Sequence, residues 1–412
     1  MKLSAGTPLR IHLEWAPHDR RLVGRLATRD HRVYFEFAAE FLAAPLQLSP
    51  LKLALTSGIQ EGPRRPFDGL HGVFADSMPD AWGRLLVDRR ARRQGLSPIT
   101  LGPLDRLACV GATGLGALVY EPEFEAGEAG HIDLDALAAG AAAVLDGTAD
   151  DVLPELERLG GSPGGARPKV LLAWRPEDGH LVSGVDRPPG DHRAILVKFR
   201  APQDPPDMGA LEHAYASMAR AAGVEVPPTR LLPATKGPGH FAIDRFDREG
   251  ERRLHMHSLA GLLEADPTLP ALDYEHLLRV TLHVTGDQRA VRQAFRRAAF
   301  NALAHNRDDH GKQFSFLMNQ EGAWTLAPAY DLVFSEGPRG EHCTTVAGEG
   351  NNPGEADLRR LARPMSIPSR KVDAILEEVR AALADWSRHA ADAGVTRVTR
   401  DRVTAALRAS PG

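Results

Sequence analysis

The feature that most constrains the fold of this chain is a change of hydrophobic period near residue 258. Before it, apolar and polar residues alternate in short runs such as 9–13 and 33–37, the period of half-buried strands. After it, apolar residues recur at helical spacing, as over 372–383. A strand-rich part followed by a helix-rich part predicts an α+β fold of two lobes with a cleft between them.

Composition narrows the class of protein. The 412 residues suggest two or three domains. Hydrophobic residues make up 43% and charged residues 25%, which is ordinary for a soluble globular chain. The net charge of −4 does not indicate a nucleic-acid or membrane partner, and no apolar run approaches the ~20 residues of a membrane span. The two cysteines, Cys109 and Cys343, cannot form a disulfide framework, so a cytoplasmic location is expected.

The order of elements predicts three parts. Helices are expected over 80–94, 133–145 and 209–222, and strands over 170–174, 194–199 and 241–246. Asp287 is expected to cap a later helix. The predicted parts are a strand-rich N-terminal subdomain (1–125), a part resembling the N-lobe of a kinase (126–250) and a mainly helical C-lobe (251–412).

A glycine cluster at Gly111, Gly114 and Gly116 raises the alternative of a dinucleotide-binding loop. Such a loop should open a helix, whereas the residues that follow, 117–120, are strand-like. Tight turns between strands are therefore the preferred interpretation of this cluster.

The segment Asn306 to Gln313 carries the strongest chemical signal. Protein kinases have a catalytic loop of the form H-R-D-x-x-x-x-N, in which the Asp accepts the substrate hydroxyl proton and the amide holds magnesium. Asp308 follows an arginine, and Gln313 supplies an amide at the expected spacing. A predicted hairpin over 314–326 then leads to Asp331, which is placed to be a second magnesium ligand.

Upstream residues occur in the order that kinases use. Lys198 ends a predicted strand, and Glu212 on the next helix can pair with it and orient it towards the α and β phosphates of ATP. A glycine-rich loop over 160–165 precedes Lys169 and would offer backbone N–H groups to phosphates. Each feature alone has an ordinary structural explanation, such as a surface lysine or a connecting loop, but their joint order favours a kinase.

With these motifs the sequence resembles the HipA-type toxin kinases of bacterial type II toxin–antitoxin systems along nearly its whole length. The segments that carry the resemblance are Phe74 to Arg84, Gly111 to Leu118, Ser162 to Lys169, Asp244 to Arg248, Asp308 to Ser315 and Leu326 to Asp331. The resemblance implies a two-lobed, protein-kinase-like fold behind a small N-terminal domain.

The resemblance also implies a role for individual residues. Asp308 would be the catalytic base, Gln313 and Asp331 the Mg²⁺ ligands, Glu212 the partner of the ATP-contacting lysine, and Ser162 the autophosphorylation site. The implied ATP-binding residues are Gly164, Gly165, Ala166, Lys169, Lys198, Asp244, Phe246, His310 and Lys312. Two positions depart from the family: Gln313 replaces the usual Asn, and Asp244 replaces a frequent Glu.

The implied function is ATP- and Mg²⁺-dependent phosphorylation of a protein Ser/Thr hydroxyl. The implied partners are a HipB-like helix-turn-helix antitoxin, operator DNA bound only through that complex, and a protein substrate of the aminoacyl-tRNA synthetase type, with no membrane partner. One alternative is a weak pseudokinase that acts as an antitoxin-binding transcriptional co-regulator. A second is a metal hydrolase, whose candidate ligands are Asp308, Asp309, His310, His255 and His257.

Overall fold

The computed structural model describes residues 1–4, 6–124, 132–148, 154–160, 166–183 and 188–409. Its first part is an antiparallel sheet of five strands in the order β4-β3-β2-β1-β5, with short helices packed around it. Its elements are β1 (Leu9–Ala16), β2 (Asp19–Arg29), β3 (Arg32–Phe37), α1 (Ala39–Ala43), β4 (Ile59–Glu61), α2 (Gly72–Ala75), α3 (Ala81–Arg93), α4 (Pro103–Val110) and β5 (Leu118–Glu121).

The middle part holds a second sheet of five strands in the order β7-β6-β8-β10-β9. Helix α7 packs against its β10 and β9 strands. Its elements are α5 (Leu134–Asp146), α6 (Pro154–Gly160), β6 (Lys169–Trp174), β7 (Leu181–Val182), β8 (Arg193–Lys198), α7 (Met208–Ala221), β9 (Thr229–Leu232), β10 (His240–Asp244), β11 (Arg248–Glu249) and β12 (Arg252–Arg253).

The last part is mainly helical and surrounds a three-stranded sheet, β13-β15-β16. Its elements are β13 (His255–Ser258), α8 (Leu259–Leu263), β14 (Leu272–Asp273), α9 (Tyr274–Thr285), α10 (Gln288–Leu303), β15 (Ser315–Met318), β16 (Trp324–Leu326), β17 (Thr344–Thr345), α11 (Glu355–Ala362), α12 (Ser369–Ala384), α13 (Trp386–Asp392) and α14 (Arg397–Ala409). As expected, Asp287 caps α10 by accepting a hydrogen bond from the backbone of Arg289.

The three parts share their hydrophobic cores. Trp82 and Leu86 of α3 pack with residues of β6 and β8, so the helix lies in the core of the middle part. Met318 of the last part is buried with the core of the first sheet. Trp324 packs against the core of the first sheet and against the core of the last part. The parts are therefore joined by buried apolar side chains as well as by the chain itself.

The glycine cluster of 111–116 is a turn, although its surroundings differ from the prediction. It lies between α4, a helix that the sequence analysis did not predict, and β5, so it does not connect two strands. Gly111 ends α4 with φ 53°, and Gly116 has φ 79°, values that glycine adopts at little steric cost. No helix follows the cluster, because β5 begins at Leu118, and the dinucleotide alternative is thereby excluded.

Within the described residues, no helix is both long and apolar enough to cross a membrane.

Candidate active site

A cleft between the middle sheet and the loops of the last part brings the predicted residues together. One end is apolar and is lined by side chains that include Leu196, Ile243, Phe246 and Tyr330, with the rings of Phe246 and Tyr330 stacked at 5.2 Å. The other end is charged, and the residues that line it are Asp76, Asp80, Lys169, Lys198, Lys312 and Asp331. An apolar slot that leads to lysines paired with aspartates suits a ligand with a flat base and metal-bound phosphates.

Lys198 forms the centre of the charged end. It is the last residue of β8, and its Nζ lies 2.7 Å from Oε2 of Glu212 on α7 and also contacts Oδ1 of Asp331. Burial alone would lower the pKa of Lys198, but the carboxylates of Asp331 and Glu212 outweigh it and raise the pKa. The lysine is therefore charged at neutral pH and fixed between two elements.

Asp331 faces both Lys198 and the amide of Gln313. The Gln313 Nε2 donates a hydrogen bond of 2.7 Å to Oδ2 of Asp331. Burial would raise the pKa of Asp331, but the ammonium groups of Lys198 and Lys169 hold it well below its usual range. Asp331 has φ 56°, a left-handed conformation that is costly for a residue with a side chain and that often marks a functional site.

Lys169 is the second buried lysine of the cleft. It starts β6 and lies opposite Lys198 in the antiparallel register of β6 and β8. Burial and the neighbouring charge of Lys198 lower the pKa of Lys169 to about 8. Two cations are thus held together at the same end of the cleft, where a polyanion would relieve their repulsion.

Asp308 and Asp309 are neighbours in the chain with opposite surroundings. Asp308 is exposed and is not among the residues that line the cleft, but its charge interacts with Asp331 and His310, which do line it. Its pKa is raised by desolvation and by the nearby carboxylate of Asp331, against the opposing effect of His310. Asp309 is fully buried. One aspartate is therefore open to a substrate, and the other belongs to the framework.

Asp309 anchors this loop to the start of helix α9 and to the segment 342–344. Its Oδ2 accepts hydrogen bonds from the Tyr274 hydroxyl at 2.7 Å and from Nδ1 of His342 at 2.8 Å. Its Oδ1 accepts from the backbone N–H of Thr344 at 3.2 Å. A buried carboxylate with three donors holds the loop rigidly, because moving the loop would leave a buried carboxylate and its donors unsatisfied.

Lys312 reaches the N-terminal part of the molecule. Its Nζ lies 2.6 Å from Oδ1 of Asp80, which immediately precedes α3. Its backbone carbonyl accepts a hydrogen bond of 2.6 Å from the Tyr330 hydroxyl. Lys312 therefore connects the first part of the molecule to the loop that carries Asp308.

Residues 245–248, which follow β10, bind the glycine turn of the first part. Asp247 is buried between Arg245 and Arg248, and its carboxylate accepts the backbone N–H of Gly116 at 2.7 Å. The Arg248 guanidinium donates to the backbone carbonyls of Gly114 at 3.1 Å and Gly116 at 3.0 Å. Asp244 lines the cleft, with its carboxylate 2.6 Å from Arg230.

Not every predicted residue can be placed in the cleft. Ser162, Gly164 and Gly165 lie outside the described residues. Ala166 is exposed, and the next residue, Arg167, forms an ion pair with Asp204.

Comparison with known proteins matches both halves of the chain to one family. The model of the HipA-like C-terminal domain matches residues 161–386, and that of the HipA N-terminal domain matches residues 17–121. The chain belongs to the HipA family.

The relatives and a solved structure agree with this assignment. A Sinorhizobium fredii protein named "Putative kinase Y4mE" is 28% identical over 354 residues, covering 76% of this chain and 75% of that protein. A Haemophilus influenzae protein named "Putative kinase" is 28% identical over 191 residues, 43% of this chain and 53% of that protein, so the match spans about half of its length.

The HipA of the Shewanella oneidensis MR-1 HipA, HipB and operator DNA complex superposes with a TM-score of 0.65 at 16% identity, over 97% of this chain and 94% of that chain. The predicted two-lobed, kinase-like α+β fold is thus confirmed as the HipA fold.

The donor set of this HipA-family cleft fits magnesium. Asp331 is held in its ionised form, and Gln313 adjoins it, so hard oxygen donors are available at the charged end of the cleft. The Gln313 amide turns its nitrogen towards Asp331, and a half-turn of the amide would present its oxygen instead.

The histidines of the metal-hydrolase alternative are used elsewhere. His255 Nε2 lies 3.0 Å from the carbonyl oxygen of Leu48, while His257 contacts Ser49 at 3.0 Å and Asp76 at 2.6 Å. Both are fully buried, and among the described residues no group of three His, Cys, Asp or Glu side chains is arranged to hold a metal. The described residues therefore do not support the metal-hydrolase alternative.

Sequence reasoning missed two functional contacts, those of Asp80 and of Asp309. Asp80 lies in the predicted signature at 74–84, but nothing in its neighbourhood indicates a lysine 232 positions away.

Proposed function

We propose that this chain is an ATP- and Mg²⁺-dependent protein serine/threonine kinase. The observation that carries the proposal is the ion-paired chain of Glu212, Lys198 and Asp331, with the exposed carboxylate of Asp308 close enough to Asp331 to raise its own pKa. Kinases need a lysine fixed by a helix carboxylate, a metal-binding aspartate and a base within one site.

The chemistry assigned to each residue follows from its surroundings. Lys198 and Lys169 would bind the phosphates, because both ammonium groups are buried at the charged end of the cleft. Asp308 would accept the proton of a Ser or Thr hydroxyl, since it is the exposed carboxylate beside Asp331. Asp331 and Gln313 would hold Mg²⁺, which supplies neutralising charge to the β and γ phosphates.

The finer parts of the proposal rest on family likeness. The solved relative is a HipA bound with HipB and operator DNA. We infer a HipB-like helix-turn-helix antitoxin as partner, with DNA bound through that complex, an aminoacyl-tRNA synthetase-type substrate, autophosphorylation at Ser162 and a cytoplasmic location. Co-purification with the helix-turn-helix protein of the adjacent reading frame tests the partner.

The enzymatic proposal is tested by two substitutions. Asp308→Asn should lower transfer of label from γ-labelled ATP by about 100-fold or more while Mg·ATP still binds, as expected for loss of a general base. Asp331→Ala should lose the Mg²⁺-dependent part of ATP affinity, measured by calorimetry.

Asp373→Asn is the matched control, because Asp373 pairs with Arg359 on an exposed face of α12, away from the cleft. Full transfer by the Asp308 variant, or unchanged Mg·ATP affinity of the Asp331 variant, would remove these residues from the mechanism.

The alternative of a catalytically weak pseudokinase that binds an antitoxin has one observation in its favour. The longer Gln313 stands where the family usually has Asn, and its nitrogen faces Asp331. Under this alternative, nucleotide affinity does not depend on Mg²⁺ and Gln313→Asn raises the rate of transfer. Under the kinase proposal, Gln313→Ala lowers the rate.

A further inference from the structure

Residues 72–93 connect all three parts of the molecule. Helix α2 packs against α8 of the last part, with Gly72 and Gly261 in close contact. Helix α3 enters the core of the middle part, where Nε1 of Trp82 donates a hydrogen bond of 3.0 Å to the carbonyl oxygen of Lys169. Asp80 lies at the turn between these two anchored helices, so its position is fixed from both sides.

The carboxylate of Asp80 is not used in the usual way for its position. Asp80 is the N-cap residue of α3, where an aspartate normally accepts a hydrogen bond from the first turn of the helix. Its side chain makes no capping hydrogen bond and reaches Lys312 at 2.6 Å instead. The helix thus forgoes a stabilising cap, and the side chain that would have supplied it fixes a lysine of the cleft.

Lys312 is held through its backbone and through its side chain. The Tyr330 hydroxyl donates to its backbone carbonyl, and Asp80 contacts its ammonium group. The lysine lines the charged end of the cleft together with Lys169, Lys198 and Asp331. A lysine side chain has many rotamers, and restricting them before a ligand arrives removes that entropic cost from the reaction.

We propose that Asp80 is a positioning residue that holds the Lys312 ammonium at the phosphate end of the cleft, so that the N-terminal subdomain completes the kinase site. The inference rests on the proposed function and adds a residue to it. Asp80 acts through Lys312 and touches no reacting atom. Loss of its negative charge would favour phosphate binding, whereas loss of the positioned lysine would disfavour it, so the two effects on affinity oppose each other and the net loss falls on the rate of transfer.

A double-mutant cycle on the full chain tests this role. Asp80→Asn and Lys312→Met should each lower the initial rate of label transfer from ATP to the chain by about tenfold, a typical coupling for groups in direct contact. The double variant should be no slower than Lys312→Met alone, because Asp80 has nothing left to position. Mg·ATP affinity of Asp80→Asn should stay within about threefold of the wild-type value, and Asp80→Glu should recover part of the rate.

Asp88→Asn is the matched control for effects on the fold. Asp88 lies on the same helix and pairs with Arg106 at 2.8 Å, so this variant also breaks an ion pair of α3 but should transfer at the wild-type rate. Additive losses in the double variant, or equal losses for Asp80→Asn and Asp88→Asn, would show a merely structural role and overturn the inference. If the wild-type chain transfers no label, the proposed function fails and the inference fails with it.

Discussion

Asp308 and Asp309 show how adjacent identical residues acquire different roles. The side chain of Asp308 is exposed, whereas that of Asp309 is fully buried and accepts hydrogen bonds from Tyr274, His342 and Thr344. The first can meet a substrate, and the second fixes the loop that presents it.

We expect the two positions to respond differently to substitution. Asp309→Ala should lower the free energy of unfolding by about 3 kcal/mol, because it leaves several buried donors without an acceptor. Asp308→Ala, its matched control, should change that free energy by less than about 0.5 kcal/mol, as is usual for an exposed site. Urea unfolding followed by fluorescence measures both, and equal losses would contradict the assigned surroundings.

Lys169 gives the cleft a dependence on pH. Burial and Lys198 lower its pKa to about 8, so it is charged at pH 7 and mostly neutral at pH 9. Bound phosphates would favour the charged form, and Mg·ATP affinity should therefore fall by about tenfold between pH 7 and pH 9. The pKa of Lys198 is raised, so its charge persists over this range.

The matched variant for this prediction is Lys169→Arg, which keeps its charge throughout. Calorimetric titration at several pH values should show the fall in affinity for the wild-type chain and a nearly flat profile for the variant. A fall of the same size in both proteins would assign the titration to another group.

Among single residues, the sequence predicts those that occur at the spacing or in the order of known kinase motifs. Asp308, Gln313 and Asp331 lie in one loop and hairpin, and Lys198 and Glu212 lie on consecutive elements. Asp80 and His342 could not be predicted, because their partners are set by packing between distant segments and no local pattern records it.

Among the elements, β1 and α3 show what periodicity can and cannot predict. The strand β1 buries alternate residues Leu9, Ile11 and Leu13, as its pattern predicts. The predicted helix over 80–94 corresponds to α3, but its period does not reveal that it enters the core of the next part. The strand predicted over 241–246 ends at Asp244, where the chain turns to form the buried ion pairs of Arg245 and Asp247.

The contact of α2 with α8 depends on the absence of a side chain at Gly72. A Cβ built there would overlap the carbonyl oxygen of Gly261, which is backbone and cannot move aside cheaply. Gly72→Ala should therefore cost at least about 2 kcal/mol of unfolding free energy.

The matched control is Gly190→Ala, since a Cβ at Gly190 would meet no atom within 4 Å and no unusual φ is required there. This change should be neutral or stabilise by up to about 1 kcal/mol. Chemical denaturation compares the two variants, and a harmless Gly72→Ala would mean that the helices are not so closely packed.

Across the whole molecule, the shared cores predict cooperative unfolding. Trp82 is buried in the core of the middle part, and Met318 of the last part is buried with the first sheet. Separating any one part would expose these side chains at a cost of about 1.5–3 kcal/mol each. Scanning calorimetry should therefore show one main transition, whereas well-separated transitions would indicate independent domains.

The contacts of residues 245–248 with the glycine turn have a consequence for how the sequence can vary in evolution. Arg245, Asp247 and Arg248 bind the loop through its backbone at Gly114 and Gly116, so the joint depends on the path of the loop and not on its side chains. Mutations can accumulate in the loop without loosening the joint, provided that the path is kept. We expect recombination between distant relatives at the glycine turn to yield folded hybrids more often than recombination at α3. At α3, the packed side chains of the helix and of the middle part would have to come from the same parent.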